Sequence, residues 1–312
     1  MTPETRHVRT ERPPEAAPSP PAQRHAWLRA LGPAEMPEHI ALPDGLYRHL
    51  RTFKHDFFAA TGLYQGPSGL VVLKLGRLAG LFGLPMKWLG RWLADRESAN
   101  YRAAEGLAGI PRCLGRWGPT GLVHAFVEGH PLQPREQVDD DFFPRLADIL
   151  DGLHRRNLAY VDLEKRENIL VDEHGRPWLI DFQISWHHPP GGIDCRPLRG
   201  PQALRRLMPD CLARLLLTRL QQADRYHLLK HRRRHRPDTL SAEEFCASYR
   251  VGPAIILHRR IARPLTWLRR RALSRLTGRA RSPRQEGPRF TPPARRVGPV
   301  ECRPENESHA VG

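Results

Sequence analysis

The sequence has few cysteines, and it lacks both paired cysteines and long apolar runs. Its five cysteines are odd in number and never form a CxxC pair, which is atypical of a disulfide framework or a zinc ribbon. The first residues, MTPETRHVRTERPPEAAPSPP, contain no apolar stretch of the kind found in signal peptides. No run approaches the roughly 18 apolar residues that a membrane-spanning helix needs. These absences favour a cytoplasmic protein in a reducing compartment.

Acidic residues are also scarce relative to basic ones. The chain of 312 residues has 50 Lys and Arg against 33 Asp and Glu, a formal net charge of +17. Such an excess predicts attraction to an anionic partner, which includes nucleic acid, an acidic membrane surface and a phosphorylated or carboxylated substrate. Charge alone does not choose among these three.

Composition divides the chain into four regions. Residues 1–25 and 278–312 are rich in Pro, Arg, Glu and Ser, so we expect disorder there. Residues 46–128 carry strand and turn patterns, whereas residues 129–277 are mainly helical in pattern, and the break Glu-Gly-His-Pro separates the two. The last predicted helix, 255–276, has an apolar stripe among arginines; it either packs inward or lies on an anionic membrane.

The most informative stretch is residues 153–185, which carries three polar residues suited to metal binding and proton transfer. Asp162 follows a predicted helix, Asn168 precedes the apolar run Ile-Leu-Val, and Asp181 follows the run Trp-Leu-Ile. The two runs predict a pair of strands joined by a turn. An asparagine and two carboxylates held together form a site for a hard cation with a spare base, as phosphoryl transfer requires.

Two upstream residues extend this pattern. Lys74 lies inside the apolar run LVVLKL, where a lysine is unusual unless it faces solvent or pairs with an acid. The helix predicted over residues 86–107 carries Glu97, and it carries Glu105 near the same face. Glu97 is the favoured partner of Lys74, with Glu105 as the alternative, and Arg96 competes for Glu97 as a surface pair.

At this point the chain resembles the protein-kinase-like superfamily over residues 46–235. Tyr160-Val161-Asp162 resembles the catalytic-loop motif H/Y-R-D, Asn168 the metal-binding asparagine, Asp181-Phe182-Gln183 the D-F-G motif, and Lys74 the lysine of V-A-I-K. Within the superfamily the chain is most similar to bacterial lipopolysaccharide-core and Kdo kinases and to RIO-like kinases.

The resemblance implies an α+β, bilobal fold in which 46–128 is a small β-rich lobe and 129–277 a larger helical one. It implies ATP and Mg²⁺ as cofactors. Lys74, held by Glu97, would bind the ATP phosphates, Asn168 and Asp181 would bind the metal, and Asp162 would be the catalytic base. The acceptor hydroxyl would belong to a sugar, a glycolipid or a protein, with contact at the inner membrane face. The alternatives are a RIO-like protein kinase and a pseudokinase scaffold that binds membrane or RNA.

The sequence also departs from the superfamily pattern. Val161 replaces the usual arginine, Gln183 replaces the usual glycine, and no A-P-E motif follows Ser185. One extra residue separates Asp162 from Asn168, and the expected phosphate-covering turn near residues 54–56 has no glycine. These differences predict an atypical enzyme that activation-loop phosphorylation does not regulate.

Three histidines, His227, His231 and His235, fall four residues apart on a predicted helix. This spacing is compatible with a metal-binding face. Their neighbours Lys230 and residues 232–234 are basic, so the favoured interpretation is that the three histidines form part of a basic face of the helix.

Overall fold

The structure is a computed structural model that describes residues 28–80, 84–189 and 209–250. Over these ranges it is a mixed α+β structure with a curled antiparallel sheet and several helices. The strands are β1 His39–Leu42, β2 Gly45–His55, β3 Ala59–Gly66, β4 Gly69–Gly76, β5 Cys113–Trp117, β6 Gly121–Ala125, β7 Gly129–Pro131, β8 Leu158–Ala159, β9 Ile169–Asp172, β10 Pro177–Leu179 and β11 Trp186–His187. The helices are α1 Lys87–Ala103, α2 Phe142–Arg155, α3 Asp210–His235 and α4 Ala242–Ala247.

Six strands form one sheet in the order β1-β2-β3-β4-β6-β5, and every neighbouring pair is antiparallel. The sheet begins at His39, earlier than the predicted start of folded structure at residue 46. The central strand β4 is buried on both faces, because Val71, Leu73 and Leu75 enter an apolar cluster while the other face meets α1. This double burial explains why the β4 sequence is a continuous apolar run.

A close approach of two glycines fixes the distance between α1 and β4. A Cβ atom on Gly76 would lie 2.7 Å from the carbonyl oxygen of Gly90, and one on Gly90 would clash with the carbonyl oxygen of Arg77. Any larger residue at either position would push helix and strand apart. The helix therefore lies near enough to β4 for its side chains to reach Lys74.

The remaining elements surround a second apolar cluster built on α2. Helix α2 is part of the region 129–277 predicted to be mainly helical, and its residues Phe142, Leu146, Ile149 and Leu153, which recur at helical spacing, are buried. The predicted strand pair is present as β9 and β10, which are antiparallel, and β5 and β6 form another antiparallel pair. The break at 128–131 contains β7, which pairs with β9, while β8 pairs with β11. Among the described residues, no helix is both long and apolar enough to cross a membrane.

Several predictions fall outside the described residues. They are the disorder expected at residues 1–25 and 278–312 and the basic helix expected at 255–276.

Candidate active site

Lys74 lies at the centre of the site, where the sheet, α1 and the residues after β10 meet. Its Nζ donates to Oε1 of Glu97 at 2.9 Å and to Oδ1 of Asp181 at 2.8 Å. Only 13 % of the Lys74 side chain is exposed, so the solvent-facing interpretation is wrong. Burial alone would lower the pKa of Lys74, but the charges of Glu97 and Asp181 outweigh it and raise that pKa. The lysine therefore stays cationic between two carboxylates.

The structure also decides between the two candidate glutamates. Glu97 lies inside α1 and is buried, whereas Glu105 lies beyond the end of the helix and is exposed. Arg96 does not pair with Glu97; its Nη2 donates to the carbonyls of Ile184 and Ser185. Burial raises the pKa of Glu97, and the positive charge of Lys74 opposes that rise.

Asp181 is the second residue after β10 and adopts a left-handed backbone conformation with a φ of 63°. Such a conformation is uncommon for a residue other than glycine and is often found at functional sites. Burial would raise the pKa of Asp181, but the ammonium of Lys74 more than offsets it and lowers that pKa. Asp181 is therefore ionised and turned toward the sheet.

Asp162 and Asn168 contact each other despite the extra residue between them. A 3₁₀ turn at Arg166–Asn168 takes up that residue, and Asn168 Nδ2 donates to Asp162 Oδ2 at 2.8 Å. The same oxygen accepts from Lys165 Nζ at 2.6 Å. Burial raises the pKa of Asp162, with Lys165 and Asn168 acting in the opposite direction. Lys165 was not predicted as a site residue, and its contact follows from the local turn.

Three aromatic rings connect these parts of the site. The rings of Tyr101 and Phe182 have centroids 4.8 Å apart, and those of Phe182 and Tyr160 have centroids 5.1 Å apart. Tyr101 belongs to α1, Phe182 follows Asp181, and Tyr160 precedes Asp162 by two residues. Edge contacts of this kind add to the apolar burial that all three rings share. These ring contacts therefore fix the position of α1 relative to Asp162 and Asp181.

Asp224 of α3 binds the backbone of the two residues that precede Asp162, and it was not among the predicted site residues. Its fully buried carboxylate accepts from the backbone N–H groups of Tyr160 at 2.8 Å and Val161 at 2.7 Å, and also contacts His154. Val161 is β-branched and has a φ of 72°, a conformation that costs energy for such a residue. Asp224 therefore holds a strained backbone next to Asp162.

The turn between β2 and β3 lies where a phosphate-covering loop is predicted, and it has no glycine. Asp56 Oδ1 accepts from the N–H groups of Phe58 at 2.8 Å and Ala59 at 3.0 Å. The turn is fixed from outside as well, because Ala30 N–H donates to the Asp56 carbonyl and Arg77 donates to the Phe57 carbonyl. Since Asp56 occupies these N–H groups, they cannot bind a phosphate.

The three histidines of α3, predicted to lie in a basic face of the helix, turn out to be packed against other residues. His227, His231 and His235 are all buried. His231 Nε2 lies 2.7 Å from the carbonyl of Leu163, next to Asp162, and His235 Nδ1 lies 3.1 Å from the carbonyl of Glu136. Their face of α3 packs against the rest of the protein, which spacing alone does not reveal. No cluster of three or more His, Cys, Asp or Glu able to hold a metal occurs in the described ranges.

The buried His231 predicts an acid-sensitive stability. Burial lowers the pKa of His231 to about 4, below its usual value near 6.5, so the neutral ring stabilises the fold above pH 6.5 and this contribution is lost as the pH falls toward 4. His231→Gln cannot be protonated and keeps a donor for the Leu163 carbonyl. Between pH 7.5 and pH 5, urea unfolding should show that the wild type loses about 2 kcal/mol more than His231→Gln. Equal losses would contradict this assignment.

Comparisons with known proteins do not assign the chain to a family. The sequence matches no protein-family model, and a search of curated proteins finds no match. The function is therefore inferred from the residues of the site and their contacts.

Proposed function

We propose that the protein is an ATP- and Mg²⁺-dependent phosphotransferase with a bilobal, kinase-like fold. The observation that carries this proposal is the position of Lys74, which contacts both Glu97 of α1 and Asp181 after β10. This buried cation lies next to two carboxylates, and Asn168 accepts through its carbonyl from the N–H of Ile180, the residue before Asp181. Such an arrangement is suited to hold an anionic phosphate chain and a metal together. The six-stranded sheet with α1 would be the small lobe, and the α2 and α3 region the large one.

The donor set fits Mg²⁺. Asn168 donates its Nδ2 to Asp162, which leaves its amide oxygen as an acceptor, and Asp181 supplies an ionised carboxylate. Oxygen donors of this kind are the ligands that Mg²⁺ prefers. Bound there, the ion would neutralise the charge of the phosphate oxygens. Glu97 would keep the ammonium of Lys74 directed toward the same phosphates.

Asp162 is the proposed base for the acceptor hydroxyl. Its Oδ2 is occupied by Lys165 and Asn168, which orient the carboxylate and keep it from rotating. Burial raises its pKa, which makes it a stronger proton acceptor than a solvated aspartate. Following the resemblance described above, we propose a hydroxyl of a sugar or glycolipid as the acceptor, with a protein hydroxyl as the alternative.

A second candidate function follows from the turn at residues 56–58. Because Asp56 occupies two of its N–H groups, this turn lacks the phosphate contacts that a glycine-rich loop provides. A scaffold that uses this fold to bind an anionic membrane or RNA through its basic surface would tolerate that loss. Such a scaffold would bind vesicles or RNA without needing ATP.

Binding of ATP tests the proposal. Lys74→Met removes the buried cation, and Lys87→Met removes an exposed lysine of α1 as a matched control. By calorimetric titration with Mg²⁺ present, we expect Lys74→Met to weaken ATP binding at least tenfold and Lys87→Met to change it less than twofold. Absence of ATP binding by the wild type, or equal binding by Lys74→Met, would exclude the proposed nucleotide site.

A further inference from the structure

Two side chains of α1 are hydrogen-bonded to the chain that follows Asp181. Asn100 Nδ2 donates to the carbonyls of Phe182 at 2.9 Å and Ser185 at 3.1 Å. Arg96 Nη2 donates to the carbonyls of Ile184 at 3.0 Å and Ser185 at 2.9 Å. Four hydrogen bonds therefore join one helix to three backbone carbonyls, in addition to the contact between Tyr101 and Phe182.

The positions of these donors matter because Glu97 lies between them. Arg96 directly precedes Glu97, and Asn100 follows it by about one helical turn. The carbonyl of Phe182 belongs to the residue after Asp181. Hence the same hydrogen bonds fix both carboxylates that contact Lys74, one from the helix and one from the chain after β10.

Ser185 links the hydrogen bonds of Arg96 and Asn100 to Tyr160, which lies two residues before Asp162. Its carbonyl accepts from both Arg96 and Asn100, and its Oγ donates to the carbonyl of Tyr160 at 2.9 Å. Asn100 and Ser185 are buried, with 4 % and 1 % of each residue exposed. Their hydrogen bonds are costly to lose, because water cannot easily replace them.

We propose that Arg96 and Asn100 are positioning residues that hold Glu97, Lys74 and Asp181 in the assembled arrangement without any covalent modification. Their acceptors are backbone carbonyls, which are present in every state of the chain and need no added phosphate. The lack of an arginine before Asp162 agrees with this arrangement, since an anchor for a phosphorylated residue would have no use. A catalytic effect of Arg96 and Asn100 rests on the proposed function, whereas their role in holding α1 to the chain after Asp181 does not.

The rate at which Lys74 is acylated measures, without any nucleotide, whether α1 is held to the chain after Asp181. The Lys74 side chain is buried between α1 and the sheet, so amine-acylating reagents reach it slowly, and its reactivity rises when α1 moves away and exposes it. Acetylation of Lys74 by an N-hydroxysuccinimide ester, followed by mass spectrometry, should be at least tenfold faster in Arg96→Met and Asn100→Ala than in the wild type. Arg96→Lys should restore part of the protection, since its ammonium can donate to one of the two carbonyls.

Arg91→Met is the matched control, because Arg91 is an exposed residue of the same helix. It should leave Lys74 as protected as in the wild type. Urea unfolding of each variant separates local release of α1 from general loss of structure, and Arg96→Met, at a partly exposed position, is the variant more certain to stay folded. Protection of Lys74 unchanged in folded Arg96→Met and Asn100→Ala would overturn the inference.

Turnover of ATP supplies the second measurement. We expect Arg96→Met to lower kcat at least tenfold with KM for ATP changed less than threefold, because the binding groups remain while their alignment is lost. If the wild type shows no turnover, the proposed function fails, and Lys74 acetylation still decides whether Arg96 and Asn100 hold the arrangement. Wild-type kcat in a variant with deprotected Lys74 would refute their positioning role.

Discussion

Asp224→Ala is expected to lower the free energy of unfolding by about 3–5 kcal/mol. The substitution leaves the N–H groups of Tyr160 and Val161 buried without their acceptor, and it removes the partner of His154. It also removes the hydrogen bond that holds Val161 at a φ of 72°. The folded state therefore loses both hydrogen bonds and backbone order. Asp224→Asn keeps one acceptor oxygen and should lose less than Asp224→Ala.

Urea unfolding at pH 7.5 measures this effect. Asp151→Ala is the control, because its carboxylate is half-exposed and pairs with Arg225 at 3.2 Å on the surface. We expect a loss below about 1 kcal/mol for that surface pair. A loss of less than 1 kcal/mol for Asp224→Ala would show that the Asp162 segment does not depend on α3.

The elements that the sequence predicted well are those with a strong local pattern. Helix α2 follows from the spacing of its apolar residues, and the β9–β10 pair follows from two apolar runs around a turn. The order Asp162, Asn168, Asp181 is a property of the chain, and the structure places the first two in contact and the third next to Lys74. Kinase activity and the acceptor stay predictions, since neither follows from this geometry alone.

What the sequence could not predict depends on contacts between distant residues. Asp224 meets Tyr160 across 64 positions, and Asn100 meets Phe182 across 82, so no local periodicity points to either pair. The burial of His231 has the same cause, because only the packing of α3 against the Asp162 segment turns that ring inward. The sequence signal that points to Asp224 is its position seven residues after Leu217 and four before Leu228, which places it on the side of α3 that packs inward.

Asp162→Asn is expected to lower the rate of phosphoryl transfer by about 10²–10⁴-fold, with ATP affinity nearly unchanged. Asparagine keeps the shape of the side chain, and its oxygen can still accept from Asn168 and Lys165, but it cannot take a proton from the acceptor hydroxyl. The nucleotide contacts proposed for Lys74, Asn168 and Asp181 are left in place. The effect should therefore appear in kcat rather than in binding.

The measurement that tests the central claim most directly is the rate of ADP formation by wild type and Asp162→Asn, each with Mg²⁺ and with excess EDTA. Water serves as the acceptor in the absence of a known one. We predict turnover by the wild type that requires Mg²⁺, and a rate for Asp162→Asn at least a hundredfold lower at saturating ATP. Turnover that is the same in both proteins, or absent from the wild type with Mg²⁺ present, would contradict the assignment of this site to phosphoryl transfer.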